Sequence, residues 1–181
     1  MLKIVKDTNP QLKEKSVEVE LPPSEENIKI VKQMLDYIKK SQDEKYAEKH
    51  GIRAGVGLAA PQIGINKKMI AIYYPLDEEN YVELGLINPR IVSNSLKECY
   101  LPNGEGCLSV DKDHSGYVYR YYKITVRAFD VVQNKVVEIV ARGYDAIVLQ
   151  HEIDHLSGIL YYDRIDKKNP FIKKPNSIEI K

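Results

Sequence analysis

The chain has 181 residues, enough for one domain with a sizeable core but few for two. Its 27 basic and 26 acidic side chains give a net charge of +1, so the positive surface that sequence-specific nucleic-acid binding needs is not expected. The start of the chain shows no signal-peptide pattern, and no apolar run approaches the roughly 18 residues that cross a bilayer, which predicts a cytoplasmic protein without membrane contact.

The first third of the chain predicts an extended segment followed by two helices. Residues 1–23 are expected to be extended, because three prolines interrupt them. Ser24 is a suitable N-cap for a helix to about residue 40, in which apolar residues recur with a helical period. A second helical piece is expected to reach His50 and to end at Gly51, because glycine adopts the left-handed cap conformation without strain.

The middle of the chain is rich in β-forming residues. A glycine-rich loop, GVGLAAPQIG, comes first at residues 55–64. It fits the dinucleotide pattern G-x-G-x-x-A, but that pattern must open a helix, which Pro61 and Gly64 disfavour here. Gln133 and Asn134 separate the two arms of a predicted hairpin. The predicted strands are 69–74, 82–89, 96–101, 121–132 and 135–142.

The last third predicts one helix and an extended tail. The helix is expected over residues 144–157, after Gly143, with Gly158 as its C-terminal cap. The final residues, 177–180, alternate apolar and polar side chains and predict a short strand. The order helix, strands, helix, strand predicts a small single α+β domain over residues 1–181, not the regular alternation of a doubly wound sheet.

The predicted helix contains the segment LQHEIDHLSG, in which two histidines lie four residues apart. Residues at this spacing differ by only about 40° around a helix, so His151 and His155 can bind one metal ion side by side. Glu152 lies about 60° round from His155, where it can reach a water molecule beside the metal and act as a general base. Paired histidines can also be ordinary surface or core residues, but the glutamate in this position favours a metal site.

A catalytic metal site needs a third protein ligand and one open position. One clan of metalloproteases places a third histidine six residues after the second, and this chain has Tyr161 there. The third ligand must therefore come from elsewhere. The candidates are His50, His114, Cys99, Cys107 and a distant carboxylate.

The context of these candidates favours Cys107. Glycines on both sides of Glu105, including Gly106, leave the backbone free to bend around a ligand. His114 lies in a polar turn and is expected to be solvated, and the helix dipole alone accounts for His50. Cys99 is expected to be a small buried hydrophobe. Neither cysteine is expected to form a disulfide in a reducing compartment.

The segments GVGLAAPQ, EGCLS and HEIDH together resemble the three-motif signature of the peptide deformylases, GxGxAAxQ, EGCxS and HExDH. All three motifs occur in order without a departure, and the resemblance spans most of the chain. The proline-broken tail and the spacing of the first two motifs resemble the longer, Gram-positive-type class. The resemblance implies an α+β domain whose strands, antiparallel or mixed, pack around a central metal-binding helix.

The resemblance also implies the reaction and the residues that perform it. The reaction is removal of the N-terminal formyl group from formyl-methionine of nascent polypeptides, with release of formate. By motif position, the implied metal ligands are Cys107, His151 and His155, and the implied catalytic groups are Glu152, Gln62 and the backbone amide of Leu108. One divalent ion is implied, with Fe²⁺ expected and Zn²⁺ or Ni²⁺ able to occupy the site. A transient ribosome contact and a monomer are also expected.

Substrate contacts are expected from residues next to the motifs. Val56 and Gly57 can offer backbone groups to an extended peptide, and Gly106 leaves room for a ligand. Val56, Val148 and Leu149 are candidates for an apolar pocket around the methionine side chain. Val148 and Leu149 are equally well explained as helix core.

Two charged groups near the motifs are expected to be structural. Glu105 should be paired, because a carboxylate close to a metal site is costly to bury alone, and Arg120 or Arg53 can pair with it. Asp154 faces away from the paired histidines on the helix and is expected to support the site indirectly.

Two rival functions remain open. A zinc endopeptidase shares HExxH but needs a downstream histidine or glutamate on a helix, and the chain after Tyr161 offers only Asp163, Asp166 and Glu179 on non-helical sequence. A non-catalytic protein with a structural metal needs a fourth protein ligand near Cys107.

Overall fold

Two sheets and three α-helices make up the computed structural model, which describes residues 2–181 and confirms the predicted α+β class. The helices are α1 (Glu25–Ser41), α2 (Glu44–His50) and α3 (Tyr144–His155). The strands are β1 (Gly57–Ala59), β2 (Met69–Pro75), β3 (Tyr81–Asn94), β4 (Glu98–Tyr100), β5 (Arg120–Tyr121), β6 (Lys123–Asp130), β7 (Lys135–Arg142) and β8 (Ile178–Glu179).

The larger sheet has the order β1-β2-β3-β6-β7 and is antiparallel throughout. The smaller sheet has the order β5-β4-β8, in which β8 runs parallel to β4. The predicted final strand is thereby confirmed, although it is shorter than expected. Within residues 2–181, no helix combines the length and the apolar character that crossing a bilayer requires.

The larger sheet is covered by a helix on each face, and β2 shows why its sequence is an unbroken apolar run. Met69 and Ala71 point into the core cluster that contains the buried face of α1. Ile70 and Ile72 point into the cluster that contains α3. Successive strand residues face opposite sides of a sheet, so a strand with helices on both sides is apolar at every position. Burying one such isoleucine stabilises the fold by roughly 1.5–3 kcal/mol.

Helix α1 begins and α2 ends where the sequence predicts. The Ser24 hydroxyl accepts a hydrogen bond from the Asn27 amide at 3.2 Å, which satisfies one of the free N–H groups of the first turn. Gly51 has a φ of 61° and closes α2 in the left-handed conformation.

Several strand boundaries differ from the prediction. Strand β3 continues past Pro89, where the strand was expected to end, because a shift in its pairing with β6 accommodates the proline. The segment predicted as one strand over 121–132 divides at Tyr122, whose N–H bonds to the carbonyl of Lys97. The chain there passes from the smaller sheet to the larger one.

The structure also contains one-turn 3-10 helices that the sequence did not predict, at Pro10–Lys13, Ala60–Ile63 and Tyr161–Arg164. The first interrupts residues that were expected to be extended throughout, and Met1 lies outside the described residues. The second lies in the predicted glycine-rich loop, directly after β1. Because this short turn is not the α-helix that a dinucleotide site requires, the rejection of that pattern stands.

Helix α3 lies between the larger sheet and β5 and is buried around most of its circumference. It ends at His155, two residues earlier than predicted, and the turn that follows closes at Gly158, whose φ is 71°, with bonds from Gly158 N to His155 O and from Ile159 N to Asp154 O. A Cβ on Gly158 would lie 2.3 Å from the carbonyl oxygen of Lys13, so only glycine fits there. This tight closure fixes the end of α3 that carries His155.

Candidate metal centre

Three donor atoms from α3 and one loop converge at a single point. Cys107, His151 and His155 each offer one ligand atom, and these atoms lie within 4.8 Å of one another. The Cys107 Sγ lies 3.4 Å from His155 Nε2. A tetrahedral ion with bonds of about 2.3 Å to sulfur and about 2.0 Å to nitrogen separates two such donors by about 3.5 Å. The spacing therefore fits one tetrahedrally coordinated ion.

The orientation of the His151 ring is set by Glu105. Its Nδ1 lies 2.9 Å from the Glu105 carboxylate, which leaves Nε2 to face the other two donors. Glu105 in turn accepts two hydrogen bonds from Arg120, at 2.8 and 2.9 Å. The expected pairing of Glu105 is therefore with Arg120.

Behind Glu105 lies a chain of alternating charges. Arg120 also donates to Asp154 at 2.8 Å, and Arg164 donates to both oxygens of Asp154 at 2.5 and 2.7 Å. Each carboxylate thus contacts at least one guanidinium, which compensates the cost of burying charge. Asp154 faces away from the three donors and holds Arg120, as its position on the helix predicts.

Burial and neighbouring charges set the protonation of the site. Burial lowers the pKa of His155 well below its usual value, so its ring is neutral, as a metal ligand must be. Burial also acts to lower the pKa of His151, but hydrogen bonds with Cys107 and Glu105 outweigh this effect and raise it to about 10. The donor set therefore attracts positive charge. A divalent cation bound by the three donors would supply this positive charge, which agrees with the spacing of the donor atoms.

Glu152 lies beside the three donors and is almost fully buried. Its Oε2 has no hydrogen-bond partner among the described residues. Burial raises the pKa of Glu152 to about 7, against the opposing charges of His151 and Arg120. A Cβ on Gly57 would lie 2.3 Å from Glu152 Oε1, so the glycine makes room for this carboxylate. The arrangement gives a carboxylate that can exchange a proton near neutral pH.

Two hydrogen-bond donors flank the sulfur ligand. The Gln62 side chain is fixed by the Ala59 N–H, which donates to Oε1 at 2.9 Å, so Nε2 faces Ser109 Oγ at 3.0 Å and Cys107 Sγ at 3.4 Å. The N–H of Leu108 has no acceptor within the described part of the chain. The Leu108 N–H can therefore stabilise negative charge that develops near the three donors, and Gln62 Nε2 can do so by giving up its longer contact, with Cys107 Sγ.

A cleft of about 320 Å³ adjoins the donors. It is lined by four of the five predicted substrate-binding residues, namely Val56, Gly57, Gly106 and Val148. The described lining does not include Leu149, which is 2% exposed and packs in the core between α3 and the larger sheet.

Other lining residues escaped the sequence analysis, although helical periodicity could have found two of them. Ile147 lies four residues before His151 and Tyr144 lies four before Val148, so all four share one face of α3. Arg53 and Leu101 also line the cleft, and no local pattern marks them, because their loops are positioned by contacts distant in sequence.

The remaining candidates for the third ligand lie elsewhere. The rings of His114 and Tyr162 are 4.2 Å apart, as are those of His50 and Tyr46 at the end of α2. Burial raises the pKa of the Cys99 thiol to about 11, as suits an inert core residue. Within residues 2–181, one group of such side chains could hold a metal, and it contains none of these three.

Tyr161 occupies the position at which one clan of metalloproteases has its third histidine ligand. The Tyr161 ring stacks on the His151 ring with a centroid separation of 6.2 Å. The Asp163 carboxylate accepts a hydrogen bond from the Leu160 N–H at 2.9 Å and so caps the N-terminal end of the last 3-10 helix. These contacts leave Cys107 as the third donor in the structure.

An unpartnered carboxylate that faces three metal donors is the arrangement of a metal-dependent hydrolase. Comparison with known proteins defines the class more closely. The family model for polypeptide deformylase matches residues 1–171. Peptide deformylase 2 of Geobacillus stearothermophilus is 47% identical over 180 residues, which cover 99% of this chain and 97% of that protein. The peptide deformylase of Oceanobacillus iheyensis is 44% identical over 180 residues, covering 99% and 98%.

Solved structures give the same result. A peptide deformylase from Ehrlichia chaffeensis has a TM-score of 0.74 and 30% identity, covering 94% of this chain and 90% of that one. Peptide deformylase 1B from Arabidopsis thaliana has a TM-score of 0.73 and 28% identity, covering 92% and 83%.

The chain belongs to the polypeptide deformylase family. Members of this family are metal-dependent hydrolases that remove the N-terminal formyl group from formyl-methionine of nascent polypeptides and release formate. The bacterial relatives are mostly from Gram-positive organisms, which agrees with the longer class that the sequence resembles.

Proposed function

We propose that deformylation takes place in the cleft, with Cys107, His151 and His155 holding one divalent metal ion. The observation that carries this proposal is the convergence of the three donor atoms within 4.8 Å, beside a carboxylate oxygen that has no partner among the described residues. When bound there, the ion would supply Lewis-acid activation of water near neutral pH.

Glu152 is the general base and then the general acid. Its buried carboxylate, with a pKa raised to about 7, takes one proton from the attacking water and delivers it to the leaving α-amino nitrogen. The C–N bond of the formamide breaks, the amine leaves neutral, and the new C–O bond remains in formic acid, which loses the second water proton to solvent and is released as formate. A group that must both accept and release a proton is best matched by a pKa near the working pH.

Gln62 and Leu108 stabilise the oxyanion that forms from the formyl oxygen. Gln62 Nε2 is held in place before the reaction, because Ala59 N–H fixes the other end of the amide. The Leu108 N–H adjoins a ligand and has no acceptor among residues 2–181. Donors fixed in advance are worth about 10²–10³-fold in rate each.

The open edge of β1 binds the peptide backbone. Val56 O already accepts the Tyr73 N–H at 2.9 Å, so the Val56 carbonyl is not available to a peptide. Successive residues direct their backbone groups to opposite edges, so Gly57 directs its N–H and C=O to the edge away from β2. A substrate strand that pairs with Gly57 would pass directly over Glu152.

The apolar part of the cleft holds the methionine side chain. Val56 and Val148 line it together with Ile147, Tyr144 and Leu101. Gly106 lines the cleft next to Cys107 and nothing lies within 4 Å of the position of an added Cβ, so its role is to leave space for substrate. A flexible, polarisable methionine fits an irregular apolar space of this kind.

Iron is the ion that we propose for the native enzyme, with zinc or nickel able to replace it. One thiolate and two imidazoles accept all three ions. Activity that falls on exposure to air, and that persists in air after nickel substitution, is the expected behaviour. Equal stability of the purified and the nickel-substituted enzyme in air would contradict it.

The cellular setting follows from the reaction. We propose one catalytic domain over residues 1–181, acting as a cytoplasmic monomer with transient ribosome contact. Sedimentation of the purified protein would measure its mass, and co-sedimentation with ribosomes that carry nascent chains would measure the contact. A stable dimer, or no difference between nascent-chain and empty ribosomes, would contradict these points.

Formate release tests the function directly. The enzyme is expected to release formate from a formyl-Met peptide and to leave the peptide bonds of both this peptide and its unformylated counterpart intact. Cleavage of an internal bond in the unformylated peptide would instead favour an endopeptidase. Absence of both activities from the metal-loaded protein would favour a structural metal site.

A further inference from the structure

Arg53 contacts the backbone of the loop that carries the sulfur ligand. Its terminal nitrogen Nη2 lies 2.9 Å from the carbonyl oxygen of Cys107, 3.0 Å from that of Leu108 and 2.9 Å from that of Val110. Three carbonyl dipoles of one turn thus converge on a single guanidinium. Hydrogen bonds from a charged donor of this kind are short and strong.

The contact with the Cys107 carbonyl helps to fix the direction of the next N–H group, together with the turn in which Val110 N–H donates to the same carbonyl at 3.1 Å. The C=O of Cys107 and the N–H of Leu108 belong to one planar trans peptide unit and point in opposite directions. With the carbonyl held towards Arg53, the Leu108 N–H points away from the guanidinium. That N–H has no acceptor within the described residues. Arg53 therefore acts on the group that is proposed to stabilise the oxyanion.

Packing of the Leu108 side chain does not fix this peptide plane by itself. The side chain packs against Gly55, where an added Cβ would lie 2.8 Å from Leu108 Cδ1. This contact holds the side chain, but rotation of the peptide plane about the bonds on either side leaves it in place. Lys6 Nζ binds the Leu108 carbonyl at 3.1 Å and not the Cys107 carbonyl. The Cys107 carbonyl, which shares a plane with the Leu108 N–H, accepts the backbone N–H of Val110 at 3.1 Å, and among side chains of the described residues Arg53 alone donates to it.

We propose that Arg53 is a positioning residue for deformylation, which aims and polarises the Leu108 N–H through the Cys107 carbonyl. This inference rests on the proposed role of Leu108 in the reaction. A cation at the carbonyl oxygen draws electron density away from the amide nitrogen and makes its N–H a better donor. Asp111 Oδ1 lies 3.5 Å from Arg53 Nη2 and 2.7 Å from Lys6 Nζ. One carboxylate thus faces two cations, and the net charge of these three side chains is positive.

Two variants and a matched control separate this role from general stability. Arg53→Met removes the charge and the donors but keeps much of the side-chain volume. Arg53→Lys keeps the charge and can reach one carbonyl, but it loses the planar fork. Arg127→Met is the control, because Arg127 is exposed on β6, away from the cleft lining.

The measurements are kcat and KM for formate release, metal content, thermal unfolding, and the amide spectrum of the zinc-loaded, ¹⁵N-labelled protein. Loss of one fixed oxyanion donor costs about 10²–10³-fold in kcat, so a misdirected donor in Arg53→Met should cost about 10–100-fold. KM and metal content stay at the wild-type level. Arg53→Lys recovers most of the rate. The Leu108 amide proton shifts in Arg53→Met and not in Arg127→Met.

Three results would overturn the proposal. One is a rise in KM at constant kcat, which would make Arg53 a substrate contact. The second is a loss of activity in proportion to a loss of metal, which would make it a support for Cys107. The third is a wild-type rate and an unchanged Leu108 resonance in Arg53→Met.

Failure of the proposed function has a different signature. A wild-type, metal-loaded protein that releases no formate would contradict the proposed function before any variant is compared. Wild-type activity combined with an unaffected Arg53→Met variant would contradict the positioning role alone.

Discussion

The metal centre joins two regions that achieve rigidity by different means. Helix α3 supplies His151 and His155 from a segment whose backbone bonds are internal and whose end is closed by Gly158. Residues 101–110, which supply Cys107, form no helix or strand after β4. They are held instead by side chains from distant segments, namely Arg120 on Glu105, Gln62 on Ser109 and Arg53 on the carbonyls.

The difference shows which part of a site a sequence can specify. A helix converts spacing into geometry, so two histidines four apart define adjacent ligands without further information. A loop has the geometry that its partners impose, and those partners lie 15 to 57 positions away along the chain. Substitution of Cys107 in the loop should therefore remove the metal, while substitution of Glu152 on the helix should separate metal binding from turnover.

The largest effect is expected at the loop ligand. Cys107→Ser replaces a soft thiolate with a poor metal ligand, so metal content and formate release should both fall to background. Cys99→Ala is the matched control, because Cys99 is the other free thiol and lies in β4. Metal analysis of both purified variants checks the prediction. Full metal occupancy in Cys107→Ser would show that the loop contributes no ligand.

The next largest effect is expected on substitution of Glu152 in helix α3. Glu152→Ala should keep its metal and lose about 10²–10⁴-fold in kcat, the usual contribution of a general base. Glu138→Ala, a change at an exposed position on β7, should leave kcat unchanged. Metal analysis and kinetics on the same samples make the comparison. Equal losses of metal and of activity in Glu152→Ala would place Glu152 among the ligands.

An intermediate effect is expected where the two regions touch. Glu105→Gln weakens the hydrogen bond that orients His151 and leaves the charge of Arg120 less balanced. Loss of such a supporting contact typically lowers metal affinity by about 10–100-fold. Competition with a chelator measures the affinity. An unchanged affinity would mean that α3 alone orients the His151 ring.

The same carboxylate should govern stability in acid. Burial acts to raise the pKa of Glu105, but the hydrogen bonds from His151 and Arg120 outweigh it and lower the pKa from 4.5 to about 2. Because the pKa of Glu105 is lower in the folded than in the unfolded protein, its ionised carboxylate stabilises the fold at pH values above about 4.5. This contribution is lost as the pH falls from about 4.5 to about 2.

Urea unfolding in the presence of a chelator tests this, with wild type and Glu105→Gln compared at each pH. The difference in their unfolding free energies should shrink as the pH falls below about 4.5, where Glu105 of the unfolded protein takes up a proton. A constant difference down to pH 3 would contradict the assigned pKa.

The smallest effects separate two neighbouring helix residues. Val148→Ala should raise KM for formyl-Met peptides by about tenfold, since one or two missing methyl groups cost about 1–3 kcal/mol of substrate binding, and it should also cost stability because Val148 belongs to the same core cluster as Leu149. Leu149→Ala should leave KM unchanged and cost about 2–5 kcal/mol of stability, because Leu149 fills the core. Kinetics and urea unfolding of both variants check the pair. A raised KM in Leu149→Ala with an unchanged KM in Val148→Ala would mean that the helix faces are assigned wrongly.

The predictable parts of the molecule are those that local rules control. The Ser24 cap, the Gly51 end and the strand over 69–74 follow from cap chemistry and periodicity and lie where the sequence predicts, whereas α3 ends two residues before the predicted residue 157. In contrast, the break at Tyr122 and the continuation of β3 past Pro89 depend on which strands pair. Pairing is a tertiary choice that propensity does not determine.

The residues of the candidate site likewise divide into those that local spacing predicts and those that only the tertiary structure reveals. The positions of His151, His155 and Glu152 follow from helical spacing, whereas the choice between Arg120 and Arg53 as the partner of Glu105 could not be made without the fold. Arg53 lies in a loop with no motif of its own, and its three carbonyl contacts emerge only from the tertiary structure.

The central claim is that a loop sulfur and two helix imidazoles bind one ion. A crystal structure of the zinc- or nickel-loaded enzyme, with the ion located by its anomalous scattering, tests this most directly. One peak is expected at about 2.3 Å from Cys107 Sγ and about 2.0–2.1 Å from one nitrogen each of His151 and His155. An ion bound to both histidines with the Cys107 sulfur outside bonding distance would contradict it.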